Sequence, residues 1–179
     1  MNEAHLHVAI NHFPVIGAIT GMVIIIIGLF KKNDTIKQVA LWLFVALAFL
    51  SVPVLLSGEG AKEMVERLPG VNEELIERHE ELAKITFWLL IITGLFSLVQ
   101  LYFIRIKSQQ RKLMVLIAFL AILVSGSAGL TANTGGKIRH PEFENNGIEP
   151  DKELKEMDNE QLLNEPEKGK RRKRKGRDH

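Results

Sequence analysis

The sequence predicts an all-α membrane protein: a four-transmembrane-helix up-down bundle with a disordered, charged C-terminal tail. Four apolar stretches indicate the bundle, at residues 13–30, 39–56, 82–104 and 113–130. Each has about 18 to 23 residues and almost no interior charge, which is close to what a helix needs to cross a hydrocarbon core of roughly 30 Å. From residue 137 onward the chain is mostly charged or polar, and this composition predicts disorder.

These patterns predict helices at about 4–30, 38–57, 71–106 and 111–131, with an extramembrane segment at 58–81. The membrane domain then covers 1–136 and the polar tail 137–179. The motif Ser57-Gly58-Glu59-Gly60 is expected to end the second helix, and Gly135-Gly136 to allow a sharp change of direction after the fourth. No internal repeat is evident.

The connections predict how the bundle faces the membrane. The first and third connections are short and rich in Lys and Arg, whereas the second is longer and carries eight glutamates between residues 59 and 81. Because basic short loops face the cytoplasm, both termini and the second connection are expected outside. The basic run 168–177 lies about 40 residues beyond the last helix, outside the range in which that rule operates.

Five of the six histidines are predicted to share the outer face. Helical spacing places His5 and His12 on one face of helix 1, and His7 on an adjacent face with Asn11, Pro14, Ala18 and Gly21. His79 continues along helix 3 with small and hydroxyl residues that favour the bundle interior. Helices 1 and 3 are diagonal in such a bundle, so His12 and His79 are expected at similar depth across its mouth.

Two cofactor classes fit this arrangement. Imidazoles on diagonal helices can hold haem iron from opposite sides, with His12, His79 and His140 as candidates. A histidine cluster with a carboxylate suits zinc, copper or non-haem iron. The candidate metal ligands are His5, His7, His12, His79, His140 and Glu59. A solvated interfacial role, without any ligand, is the simpler alternative for each histidine.

Composition excludes several other functions. The chain has no cysteine, which removes disulfides, thiolate ligands and covalent c-type haem attachment. The basic tail suits anionic lipid headgroups, and it lacks the aromatic residues and the fold of specific nucleic-acid recognition. No motif is diagnostic of an enzyme, and a non-enzymatic role is favoured.

Several motifs together resemble an uncharacterised family of bacterial four-helix inner-membrane proteins. These motifs are His5-Leu6-His7, Asn11-His12-Phe13-Pro14, Ser57-Gly58-Glu59-Gly60-Ala61, Leu68-Pro69-Gly70-Val71, Glu77-Arg78-His79-Glu80 and Gly135 to Glu142. The first helix is also similar to a wider group of predicted membrane proteins that occur beside cytochrome domains. The resemblance covers residues 1–142 and implies location in a bacterial inner membrane and a link to respiratory electron transfer. The basic tail departs from the family.

Three hypotheses remain open. In the first, an outward-facing histidine site binds haem b or a transition metal in electron transfer, with His12 and His79 as principal ligands. In the second, the chain is a non-catalytic membrane subunit that docks a respiratory or transport complex. In the third, it is a metal-dependent membrane hydrolase that uses three imidazoles and an activated water.

Overall fold

The computed structural model describes residues 3–67, 72–106 and 111–139, and all of its regular elements are α-helices. They are α1 (Glu3–Ile10), α2 (His12–Phe30), α3 (Asp34–Val65), α4 (Glu73–Arg105) and α5 (Arg111–Arg139). Asn33 and Asn72 cap α3 and α4, because their side chains accept hydrogen bonds from the backbone N–H groups of Ile36 and Glu74. The predicted tail beyond Arg139, with His140, lies outside the described residues.

The helices form a four-cornered bundle in which α1 and α2 share one corner. Going around the bundle, α2 packs against α3, α3 against α4, α4 against α5, and α5 against α2, while α1 packs mainly against α3. Among the described residues, α1 and α2 make no contact with α4. The prediction that helices 1 and 3 are diagonal is therefore confirmed.

All four corners contain helices long and apolar enough to cross a membrane. With a rise of 1.5 Å per residue, the 32 residues of α3 and the 33 of α4 span about 50 Å each, against a hydrocarbon core of roughly 30 Å. Both helices therefore extend beyond the apolar stretches. We call the end formed by His7, the C-terminus of α3 and the N-terminus of α4 the histidine end, and the other, with the exposed Lys31 and Arg105, the basic end.

Three helix boundaries differ from the prediction. The first helix is interrupted for one residue at Asn11, between α1 and α2, although Asn11 keeps right-handed helical dihedrals and its N–H donates to the carbonyl oxygen of His7 at 2.9 Å. Pro14, three residues later, has no N–H group to donate to the preceding turn. Helix α3 continues through Gly58 and Gly60 to Val65, and α5 continues through Gly135 and Gly136 to Arg139. The expected helix end and change of direction at these glycines are wrong, because a glycine with helical dihedrals costs only about 1 kcal/mol relative to alanine.

The bundle consists of two equivalent hairpins, α2–α3 and α4–α5, and this corrects the expectation of no repeat. Every buried residue of α2 lies 72 positions before a buried residue of α4: Pro14, Ala18, Gly21, Ile25 and Gly28 correspond to Thr86, Leu90, Thr93, Ser97 and Gln100. Six buried residues of α3 likewise lie 77 positions before buried residues of α5: Ala40, Leu41, Phe44, Leu47, Ser51 and Ser57 correspond to Ile117, Ala118, Ala121, Val124, Ala128 and Thr134. The residue identity differs in every one of these eleven pairs, and what they share is burial.

Candidate functional site: a pair of equivalent histidines

His7 is held at the histidine end by the neighbouring helix of its own hairpin. Its Nδ1 atom lies 3.1 Å from the carbonyl oxygen of Val54 and 3.2 Å from Oγ of Ser57. A carbonyl oxygen can only accept, so Nδ1 carries the proton and donates it. The other ring nitrogen, Nε2, is then left with its lone pair available to a ligand or metal.

His79 makes the same contacts in the second hairpin. Its Nδ1 atom lies 3.0 Å from the carbonyl oxygen of Thr131 and 3.1 Å from Oγ1 of Thr134. Thr131 and Thr134 stand 77 positions after Val54 and Ser57, and His79 stands 72 positions after His7. The two histidines therefore occupy equivalent positions of the repeat, with the same tautomer and a free Nε2.

A glycine lies beside each imidazole, again at equivalent positions. A Cβ atom on Gly58 would be 3.4 Å from Cε1 of His7, and a Cβ atom on Gly135 would be 2.9 Å from Cε1 of His79. The absence of a side chain at Gly135 lets the ring of His79 lie against the backbone of the adjacent helix, whereas the ring of His7 leaves ordinary van der Waals room for a methyl group at Gly58. The glycines predicted to interrupt the helices thus contact the imidazoles instead.

Burial lowers the pKa of both imidazoles, and that of His79 is also sensitive to charge on His7. Both lie on the helix extensions, outside the apolar stretches. Burial lowers the pKa of His79, and although the hydrogen bond to Thr131 opposes this effect, a positive charge on His7 lowers the pKa further. Burial also lowers the pKa of His7, against the effect of its hydrogen bond to Val54. Both rings are therefore predominantly neutral at pH 7, the form in which imidazole binds metals.

The other predicted ligands lie elsewhere. His5, His12 and Glu59 are exposed, and the helix face that carries His5 and His12 points away from the bundle at Ala9 and Ile16 as well. Across the described residues, no three His, Asp or Glu side chains form a group that could hold a metal ion. The structure therefore places His7 and His79 in equivalent positions at the same end of the bundle, and does not add His5, His12 or Glu59 to them.

The sequence favours His12 over His7 because His12 lies at the depth of His79 and His7 lies nearer the terminus. The signal for His7 was present in the face it shares with Pro14, Ala18 and Gly21, because the latter three are the buried residues of α2. The predicted interior face of His79 is confirmed, since Thr86, Leu90, Thr93 and Ser97 are all buried.

Charged side chains surround the site on the α3–α4 side. Lys62 Nζ lies 2.7 Å from Oε2 of Glu80, and Lys84 binds the other oxygen of the same carboxylate. These two ammonium groups lower the pKa of Glu80 to about 2. The ion pair joins the extension of α3 to the first turns of α4, at the residue that follows His79 in the sequence. Because its side chains are partly exposed to water, it contributes only modestly to holding the two helices together.

No protein-family model, curated protein or solved structure shows significant similarity to the chain. The resemblance of its motifs to a four-helix membrane family accordingly stays a prediction.

Proposed function

We propose that the chain is a membrane cytochrome in which Nε2 of His7 and Nε2 of His79 would hold the iron of one haem b. The observation that carries the proposal is the equivalence of the two imidazoles. Each donates Nδ1–H to a backbone carbonyl, the arrangement by which proteins fix the orientation and basicity of a metal-bound histidine, and each leaves Nε2 free. The two rings come from non-contacting, diagonal corners of a helical bundle, a common setting for cofactor sites.

The number of protein donors favours haem over a bare metal ion. Zinc and copper sites need three or four protein ligands, and the described residues contain no group of three or more His, Asp or Glu side chains that could hold a metal ion. A haem needs only two, because its four pyrrole nitrogens complete the coordination of the iron. Two matching neutral imidazoles fit that requirement.

The bound haem would supply one-electron redox chemistry, and residues of the chain would orient the two histidines that hold it. The Val54 and Thr131 carbonyls hold both rings in orientation, and the Ser57 and Thr134 hydroxyls add a second acceptor to each. Placed at the histidine end, which the basic connections predict to be outside, the site would exchange electrons with a partner at the outer surface of a bacterial inner membrane. The resemblance to proteins found beside cytochrome domains agrees with this role.

The deciding experiment is the visible spectrum of the detergent-extracted full chain, oxidised and reduced. We expect a Soret band, a shift with sharp α and β bands on reduction, and about one haem per chain by pyridine haemochrome. The variants His7→Ala and His79→Ala should each lose or change this spectrum, whereas His12→Ala should retain it. A spectrum lost with His12→Ala and retained with His7→Ala would contradict the ligand assignment, and no Soret band in chain made with ample haem would contradict the function.

A further inference from the structure

The buried face of α4 is polar where the equivalent face of α2 is not. Thr86, Thr93, Ser97 and Gln100 occupy the positions held in α2 by Pro14, Gly21, Ile25 and Gly28. Because both sets are buried in the same register of the same bundle, packing alone does not require polar groups in α4. Polar side chains inside a membrane are costly, and they mark functional paths for ions, protons or water.

On two of these side chains, one buried oxygen has no hydrogen-bond partner among the residues that the structure describes. Ser97 is 0% exposed and Gln100 1% exposed, yet Oγ of Ser97 and Oε1 of Gln100 are both unsatisfied. A buried acceptor without a donor costs about 1–3 kcal/mol, so a bound water that donates a hydrogen bond would stabilise each of them. Three positions apart on one helix, the two acceptors point the same way and can share bound water.

Leu90 separates this polar region from the histidine site. On the histidine side, the hydroxyl of Thr86 is already bonded to Ser127 at 2.6 Å and to Thr131 at 3.0 Å. On the basic side come Thr93, Ser97 and Gln100, which we call the basic-end segment. Thr86 and Thr93 are about 10 Å apart along the helix, and Leu90, 1% exposed, is the apolar residue between them.

We infer that the basic-end segment is a water-binding half-channel that gives protons access from the basic end to the middle of the membrane, and that Leu90 closes it. The inference concerns residues far from the histidine end, and it holds or fails independently of haem binding. It gives a role to the polar residues on the buried face of α4, which the packing of the bundle does not explain.

Replacing the apolar side chain of Leu90 tests the inference directly. The full chain is reconstituted in lipid vesicles that contain the pH dye pyranine, and proton entry is followed after a pH step with valinomycin and K⁺ present. Leu90→Ser should raise proton permeability several-fold above wild type, and adding Gln100→Leu should abolish the increase. The matched control is Ala18→Ser, because Ala18 is the fully buried equivalent of Leu90 in the apolar half. No increase with Leu90→Ser, or an equal increase with Ala18→Ser, overturns the inference.

Thiol accessibility provides a second test that leaves Leu90 in place and decides the matter if Leu90→Ser does not fold. The chain has no cysteine, so single cysteines can be introduced without background. Ser97→Cys and Ile25→Cys are compared in nanodiscs, since both positions are 0% exposed and equivalent in the repeat. A hydrated thiolate attacks a small methanethiosulfonate, forming a mixed disulfide and releasing methanesulfinate. Reaction at position 97 well above that at 25 supports the half-channel, and equal or absent reaction contradicts it.

Discussion

The Cε1 atom of His79 lies 2.9 Å from the place that a Cβ atom would occupy on Gly135, whereas the matching distance from Cε1 of His7 to Gly58 is 3.4 Å. Real Cβ atoms do not approach other heavy atoms as closely as 2.9 Å, but 3.4 Å is an ordinary van der Waals separation. The two histidines thus make equivalent contacts, but only Gly58 has room for the methyl group of an alanine.

Gly135→Ala should therefore displace the imidazole of His79, and Gly58→Ala should leave His7 in place. Since alanine in a helix is favoured over glycine by about 0.5–1 kcal/mol, Gly58→Ala should unfold at an equal or higher temperature than wild type. We expect Gly135→Ala to reduce haem per chain and to change the reduced spectrum. Pyridine haemochrome analysis and thermal unfolding of both variants check this, and equal spectra for the two would contradict the assigned contact.

The hydroxyls of Ser57 and Thr134 should tune haem retention without providing a ligand. Ser57→Ala and Thr134→Val keep the Val54 and Thr131 carbonyls as acceptors, so the spectrum should survive. Loss of the supporting hydrogen bond should weaken haem binding by roughly 10-fold or more. The rate of haem transfer to an excess of an acceptor protein measures the effect.

Ser51→Ala is the control for those variants, because Ser51 is also buried but its hydroxyl donates to the Ala48 carbonyl of its own helix. Haem loss from Ser51→Ala should match wild type. Equal acceleration in all three variants would mean that general loosening of the bundle, and not the imidazole contact, sets the rate.

The sequence was sufficient for the fold because four apolar stretches of membrane-spanning length leave few arrangements. It was less informative at the site, where His5, His7 and His12 follow one another within eight residues. Choosing among them required knowing which face of the helix is buried, and that is the face that His7 shares with Pro14, Ala18 and Gly21. The repeat was hidden for a related reason: burial is conserved between the hairpins, but Pro14 and Thr86, or Gly28 and Gln100, share no chemistry that a sequence comparison would detect.

The carboxylate of Glu80 should contribute to stability only above acidic pH. Its pKa is about 2 in the folded chain, lowered by Lys62 and Lys84, against about 4.5 when unfolded. A depressed folded pKa contributes stability that is fully present above the unfolded value and is lost as pH falls from about 4.5 toward 2. Because the pair is largely exposed, we expect Glu80→Gln to cost at most about 1 kcal/mol at pH 7.

Thermal unfolding of Glu80→Gln and wild type at pH 7 and pH 2.5 checks the direction of this pH dependence of stability. The difference between the two proteins should shrink at the lower pH. Glu81→Gln is a suitable control, because Glu81 is an exposed neighbour outside the ion pairs found in the described residues. A difference for Glu80→Gln that persists unchanged at pH 2.5 would show that the charge is not its source.

Close contact between the two hairpins depends on Gly94, in the middle of α4. A Cβ atom there would lie 2.6 Å from Cβ of Ala48 and 3.2 Å from the carbonyl oxygen of Phe44. Neither atom can move without shifting the backbone of α3, so Gly94→Ala should destabilise the bundle by about 1–3 kcal/mol. Gly126→Ala should have the opposite effect, because a Cβ atom on Gly126 meets nothing within 4 Å and alanine favours the helix. Unfolding in mixed micelles with increasing SDS measures both variants, and destabilisation by Gly126→Ala as large as that by Gly94→Ala would contradict a specific α3–α4 contact.

Since His7 and His79 belong to different hairpins, Gly94→Ala should also weaken haem binding although Gly94 lies about 20 Å along α4 from His79.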